Sequence, residues 1–422
     1  MTASHPLDRR SLMLAAISTV VEWYDFTLFL YLATVLSRVF FSGENALLTT
    51  LGGFAVAYFM RPIGAMAFGH FGDRHGRRAT LLASMALMTA AMMLTALLPS
   101  AAQIGPAAGV LLLLLRCVMG FAVGGEYTGV VAYLLEGAAP GRRGLVTSMA
   151  AATSEVGGLL AAGMSALTVS LLPAPAVDSW GWRLPFLFGA MLAGLILIAR
   201  AAMRESPEFE LHRDAGTLVR QPLGHALTRH WPGVLRGFAI SALGSITYYV
   251  GITYVPVYLT IAGRMSEAQA LQLATVAAVA VIAATPFVGL LADRVGRRPV
   301  LVGLALLSMV LPYLLFRLLA GATPAGALAG AVLLAVLAGG VSAVGAVATA
   351  EQVPAQGRLS ALALGATTAT ALFGGVTPWL AQVLTERTGS PTAPGVMIAL
   401  VALAVLPVLL ALPETRPGRG RG

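Results

Sequence analysis

The sequence predicts an all-α membrane protein in which twelve transmembrane helices form two six-helix bundles. Three observations carry that expectation: the composition, the length of the apolar runs, and a loop that occurs twice. Only 11 % of the 422 residues are charged while 58 % are apolar, and 47 glycines add to the non-polar share. An ordinary soluble chain carries about 25 % charge. Too few polar residues remain to coat a water-soluble core, which excludes a soluble enzyme, and hydrophobicity this high excludes a disordered chain. The formal charge of +9 does not point to nucleic acid. All 27 basic residues are arginine, set in short clusters between apolar runs, with no basic face interleaved with aromatics. The single cysteine, Cys117, lies inside an apolar run, so neither a disulfide framework nor a cysteine metal site is expected. Met1 to Arg10 is polar and the apolar stretch after it is too long for a cleavable signal, so none is expected.

A spanning helix needs about 20 residues. Runs of that length fall at 12–40, 47–71, 79–98, 108–136, 144–172 and 183–203, then at 236–261, 268–291, 299–320, 326–350, 359–385 and 393–412. Several contain proline (Pro62, Pro185, Pro256, Pro286, Pro312, Pro378), which neighbouring helices can accommodate. The longest polar interruption, Arg204 to Arg236, divides the runs six and six. The expected organisation is an N-terminal bundle over 1–203, a cytoplasmic linker over 204–235 and a C-terminal bundle over 236–422. Orientation follows from arginine. With the N-terminus inside, twenty arginines fall at cytoplasmic ends and loops, and five (Arg38, Arg183, Arg264, Arg317, Arg387) fall outside. Both termini are therefore expected in the cytoplasm.

Gly69-His-Phe-Gly-Asp73-Arg74-His-Gly76-Arg77-Arg78 follows the second run, and Gly289-Leu-Leu-Ala-Asp293-Arg294-Val-Gly296-Arg297-Arg298 follows the eighth. A tight turn there needs glycines for close helix approach and positive φ, and Asp and Arg can interlock across it. Topology alone would ask for the arginines but not for the Asp and Gly spacing.

This repeated loop resembles the signature loop of the major facilitator superfamily. Glu22-Trp-Tyr24-Asp25-Phe26, Arg61-Pro62-Ile-Gly64, Arg116 with Gly120, Gly120-Phe-Ala-Val-Gly-Gly-Glu126-Tyr127-Thr-Gly129, Trp180-Gly-Trp-Arg183-Leu-Pro185-Phe186 and Arg204-Glu-Ser-Pro-Glu-Phe209 narrow the resemblance to the metabolite:proton symporters. That branch contains proline/betaine, citrate, α-ketoglutarate and shikimate carriers. Tyr248-Tyr249, Thr253-Tyr254-Val-Pro256-Val-Tyr258 and Arg358-Leu-Ser-Ala-Leu-Ala363 look closest to the proline/betaine carriers, while Gly374-Gly-Val-Thr-Pro378 is shared more widely. The resemblance implies import of a small carboxylate-bearing metabolite with protons by alternating access, from a site between the halves near the midplane. It implies a multi-pass protein of the bacterial inner membrane, working as a monomer on solute and protons, with no cofactor and no nucleic acid. Osmosensing members carry a long C-terminal coiled coil, whereas this sequence stops soon after Pro413-Glu-Thr415, so osmotic control by that route is not expected. Export of a drug or metabolite by proton antiport is the alternative. A membrane sensor would append a signalling domain. An intramembrane enzyme would need a deep nucleophile and base, yet all six histidines lie at cytoplasmic positions; no catalytic or metal-binding residue is expected.

Charges at mid-bilayer are costly, so those present are functional candidates. Glu22 and Asp25 lie roughly 15–20 Å in from the end of the first span. Arg61 is near the middle of the second. Arg116 and Glu126 lie in the fourth, and Glu155 deep in the fifth. The second half offers Tyr248, Tyr249, Tyr254, Thr377 and Trp379 instead. The first half is expected to handle charge and protons, and the second to shape the solute pocket. Asp25, with Glu22 and Glu126, is the expected proton site, since a proton carrier needs a carboxylate balanced between desolvation and an arginine partner. Arg61 and Arg116 are the expected carboxylate anchors, joined by Tyr24, Tyr127, Tyr248, Tyr249, Tyr254 and Trp379. A quaternary ammonium would favour the aromatics of span seven, and several carboxylates would want both arginines. The plainer alternatives are static ion pairs for Glu22 and Asp25, a structural role for Glu155, and simple packing for the aromatics. Asp73, Arg74 and Arg77, with Asp293, Arg294 and Arg297, are expected to form a cytoplasmic gate. Glu136 with Arg143 and Glu351 with Arg358, repeated at the inner ends of spans four and ten, would complete it; plain topology charges are the alternative.

Overall fold

The computed structural model describes residues 9–75, 77–124, 126, 142–201, 231–262, 265–321, 323–352 and 362–415. Helix occurs in each of the twelve predicted runs, and no strand occurs among the described residues. Among the described residues, eight single helices are long and apolar enough to cross a membrane, from Ala46–Phe68 to Ala393–Leu410. Two further spans are bent pairs. The first turns by 66° between Thr19–Tyr31 and Ala33–Phe40, and the seventh by 42° between Trp231–Thr253 and Val255–Ile261. The fourth is the shorter apolar helix Ala107–Val123. The eleventh is built from the π turns Ala363–Thr367 and Ala371–Gly375 and the helix Thr377–Thr388.

Outward-facing stripes are apolar. Val56, Phe59, Ile63 and Met66 on span two, and Leu306, Val310 and Leu314 on span nine, stand exposed at helical spacing. Such a belt is a liability in water and fits lipid. The interior holds small residues and the buried charges.

Packing repeats with an offset of six. Span one lies on span five, two on four and three on six; seven lies on eleven, eight on ten and nine on twelve. The halves meet where span five lies along span eight and span two along span eleven. This repetition is what the duplicated loop implied, with like sequence in like surroundings.

Two local features place the charged side chains. A Cβ on Gly64 would come within 1.9 Å of the Phe121 carbonyl oxygen, and one on Gly120 within 2.1 Å of that of Ala57. Only glycine lets spans two and four touch backbone to backbone here, which fixes the height of Arg61. Pro256, just inside Val255–Ile261, cannot donate to the turn before it. The chain accommodates this with the π turn Tyr249–Thr253, whose Tyr249 carbonyl accepts from the Tyr254 N–H at 2.9 Å.

Candidate functional site

Three buried ion pairs tie the first half together. Arg61 Nη2 donates to Glu22 Oε1 at 3.0 Å, with the guanidinium 4.1 Å from the Phe26 ring centroid and 4.6 Å from that of Tyr58. One turn along span one, Arg116 donates to Asp25 Oδ2 at 2.7 Å and to Thr95 Oγ1 at 3.1 Å. Arg200 of span six pairs with Glu126 Oε1 at 2.5 Å, while Ser84 donates to the other Glu126 oxygen at 3.2 Å. Pairs this deep persist only when well packed and hydrogen-bonded, because desolvation rivals their attraction.

Only the first pair faces the central cavity. That cavity, of about 150 Å³, is lined by Glu22, Trp23, Arg61 and Glu155 of the first half and by Tyr248 and Tyr249 of the second. Spans seven and ten add Ser241, Ser245, Ser342 and Thr349. Span ten lines it only with Val341 to Thr349, the part nearest Glu351. Toward the other end the bundle is filled. The Tyr58 and Tyr249 hydroxyls hydrogen-bond across the halves, and the Phe26 ring meets those of Phe54 and Tyr58 edge-on beside them. Glu22 Oε2 and Arg61 Nε are buried at the cavity wall with no hydrogen-bond partner among the described residues, and such atoms demand one.

The expected solute residues divide. Arg61, Tyr248 and Tyr249 reach the cavity. Arg116 does not line it, being held behind the wall by Asp25. Tyr24 is taken up by the Pro185 carbonyl at 2.6 Å, and Tyr254 by Gln382 at 2.7 Å. Trp379 stands beside Gly52 of span two. Glu126 is committed to Arg200 and Ser84. Tyr127 lies outside the described residues. Trp23 and Glu155, which sequence reasoning left out of the site, line the cavity. Trp23 lay unremarked between two acids, and the signal for Glu155 was a lone carboxylate in an apolar run.

Each end of the bundle carries a charged cluster. At one, Asp293 Oδ1 and Oδ2 accept the backbone N–H groups of Gly144 and Leu145, each at 2.9 Å, and so cap the helix Arg143–Leu171 across the halves. An acid at those free N–H groups is favoured by the helix dipole. Arg297 bridges Asp293 at 3.0 Å and Glu351 at 3.2 Å, and Arg143 stands 4.0 Å from Glu351. Glu414 accepts the N–H groups of Arg297 and Arg298 at 3.0 and 3.2 Å. Gly296, at φ +123°, makes the turn between. Arg294 is exposed. Glu136 and Arg358, and the side chains of Asp73, Arg74 and Arg77, lie outside the described residues. At the other end Arg38 of span one holds Asp178 at 3.0 Å and Glu267, at the start of span eight, at 2.7 Å. Nothing in the sequence linked those three residues.

Comparison with known proteins agrees with this architecture. Residues 12–223 match the family model for sugar (and other) transporters, and residues 264–422 that of the major facilitator superfamily. The ectoine/proline transporter ProP of Corynebacterium glutamicum is 32 % identical over 416 residues, spanning 94 % of this chain and 82 % of that protein. The citrate-proton symporter of Klebsiella pneumoniae is 32 % identical over 391 residues, spanning 92 % and 87 %. Among solved structures, the proton:xylose symporter XylE bound to 6-bromo-6-deoxy-D-glucose superposes with a TM-score of 0.78 at 19 % identity, covering 96 % of each chain.

Proposed function

The chain belongs to the major facilitator superfamily, among its metabolite:proton symporters, and on that premise we propose that it imports a small carboxylate-bearing metabolite together with protons. The solute is a zwitterion of proline/betaine type or an organic acid of citrate type. One observation carries the proposal: at the cavity wall a single arginine is shared. Arg61 is bound to Glu22 at 3.0 Å, and its aromatic seat on Phe26 and Tyr58 holds it in place. A proton arriving on Glu22 cancels that attraction and frees Arg61 to grip a solute carboxylate through parallel N–H donors. Proton and solute then enter the cavity as partners. Asp25, three residues on and paired with Arg116, stores the transported proton behind the wall.

Alternating access follows from the two ends. The Asp293–Arg297–Glu351 cluster acts as the cytoplasmic gate and the Arg38–Asp178–Glu267 cluster as the outer one, with both termini in the cytoplasm, as the arginine distribution implies. The bundles 1–203 and 236–422 rock about the site between them. The test uses everted and right-side-out vesicles carrying the protein. Adding glycine betaine, proline or citrate to right-side-out vesicles should draw protons in and make the weakly buffered medium alkaline. Acidification of that medium on solute addition would mark an antiporter, the alternative assignment.

A further inference from the structure

We infer that Glu155, with the rings of Trp23, Tyr248 and Tyr249, forms a subsite for an organic cation, so that this cavity takes a solute bearing a substituted ammonium group. The inference rests on the reading of the cavity as the solute site and goes beyond it by choosing the charge of what binds there.

Glu155 lies on span five, is 4 % exposed and lines the cavity. The three other buried acids among the described residues of the first half, Glu22, Asp25 and Glu126, each hold an arginine. Among the described residues no arginine stands within ion-pair distance of Glu155, and its polar neighbour is the Tyr248 hydroxyl from the opposite half. Span one permits this depth, because a Cβ on Gly157 would meet the Val20 carbonyl oxygen at 2.3 Å. A buried carboxylate without a cation is expensive, and a ligand can supply one.

The surrounding walls suit a cation whose charge is spread over alkyl groups. Trp23 meets Tyr248 edge-on at 4.9 Å between centroids, Tyr248 meets Tyr249 at 5.4 Å, and Trp23 stacks on Tyr249 at 6.4 Å. All three rings belong to the lining. Trp and Tyr faces attract an ammonium most when water is excluded. The charges agree with this. Two carboxylates, Glu22 and Glu155, and one guanidinium, Arg61, line the described cavity, so with all three ionised it is negative by one charge. A tricarboxylate would meet one arginine and two like charges. Once the coupling proton sits on Glu22, a zwitterion would place its carboxylate at Arg61 and its ammonium at Glu155, leaving no buried charge alone.

Calorimetry on the purified full chain in detergent, with tetramethylammonium chloride, glycine betaine and sodium citrate as probes, tests the subsite. Wild type should bind tetramethylammonium, and glycine betaine more tightly. Glu155→Gln, nearly isosteric, should weaken tetramethylammonium by about tenfold or more. Trp23→Leu, which keeps every charge, should weaken it too, so a folding defect in one variant cannot carry the result. No tetramethylammonium binding by wild type, or equal binding by a monodisperse Glu155→Gln protein, would overturn the subsite. The transport assignment fails separately. Glu155-dependent binding without proton-coupled uptake leaves the subsite standing, whereas proton-driven uptake by a protein that binds no tetramethylammonium leaves transport standing and removes the subsite.

Discussion

Asp25 and Glu22 sit three residues apart on one helix yet occupy different surroundings, and their variants should behave differently. Asp25 is buried and held by Arg116, whose guanidinium also donates to Thr95 and lies over the rings of Phe29 and Phe186. Asp25→Asn should abolish gradient-driven accumulation while solute exchange persists; full accumulation in that variant would remove Asp25 from the proton path. Glu22 shares Arg61 with the solute. Glu22→Gln should mimic the protonated state, tighten carboxylate binding and flatten its dependence on pH, whereas wild-type binding should strengthen as pH falls. A variant whose affinity still tracks pH would contradict the sharing of Arg61. Arg61→Lys keeps the charge but loses the planar fork and part of its aromatic stacking, and should cost about tenfold or more in solute affinity measured by calorimetry. Much of this was legible in the sequence, because an acid or arginine inside an apolar run announces itself. Which acid meets which arginine was not, since Glu22 and Arg61 lie on different helices whose relative heights are set by tertiary packing, such as the close approach of spans two and four at Gly64 and Gly120. Glu155 was a candidate with a structural alternative, and what sets it apart, the lack of an arginine beside it among the described residues, is a property of its neighbours that the sequence does not show.

At the scale of elements, the duplicated loop has a physical task that its spelling only hinted at. The sequence suggested interlocking Asp and Arg, and Asp293 does meet Arg297. Its further work is to cap a helix of the other half, whose own cap residue Arg142 contributes no side-chain bond. Asp293→Ala, which removes both acceptor oxygens, should therefore loosen this end by about 0.5–2 kcal/mol, the range for losing a helix cap. Spin labels on the first turn of span five and the last turn of span eight should report a longer distance. An unchanged distance distribution with normal transport would leave these residues as topology charges. The Arg38 cluster should respond in the opposite sense, Glu267→Gln opening the far end. Span boundaries were readable from hydropathy, but the 66° bend in span one and the π turns of spans seven and eleven were not. A proline flags the first π turn, and no residue type flags the bend at Leu32.

For the whole molecule, twelve spans and a six-span repeat were visible from run lengths and the repeated loop, and the six-offset packing follows directly. The asymmetry between halves was visible as well, with charge in the first and aromatics in the second. The cavity joins them, Arg61 and Glu155 facing Tyr248 and Tyr249. What a linear reading could not supply is the order of layers along the axis, the aromatic seal at Tyr58 and Tyr249 on one side and the Asp293 cluster on the other. Coupling of solute to protons through that single cavity is the central claim. Its most direct measurement is uptake of radiolabelled glycine betaine, proline and citrate into proteoliposomes with an imposed pH gradient, acid outside, comparing wild type with Asp25→Asn. Wild type should accumulate at least one of these solutes above equilibrium, a protonophore should collapse the gain, and Asp25→Asn should only equilibrate. Accumulation that ignores the pH gradient, or runs outward against it, would contradict proton-coupled import.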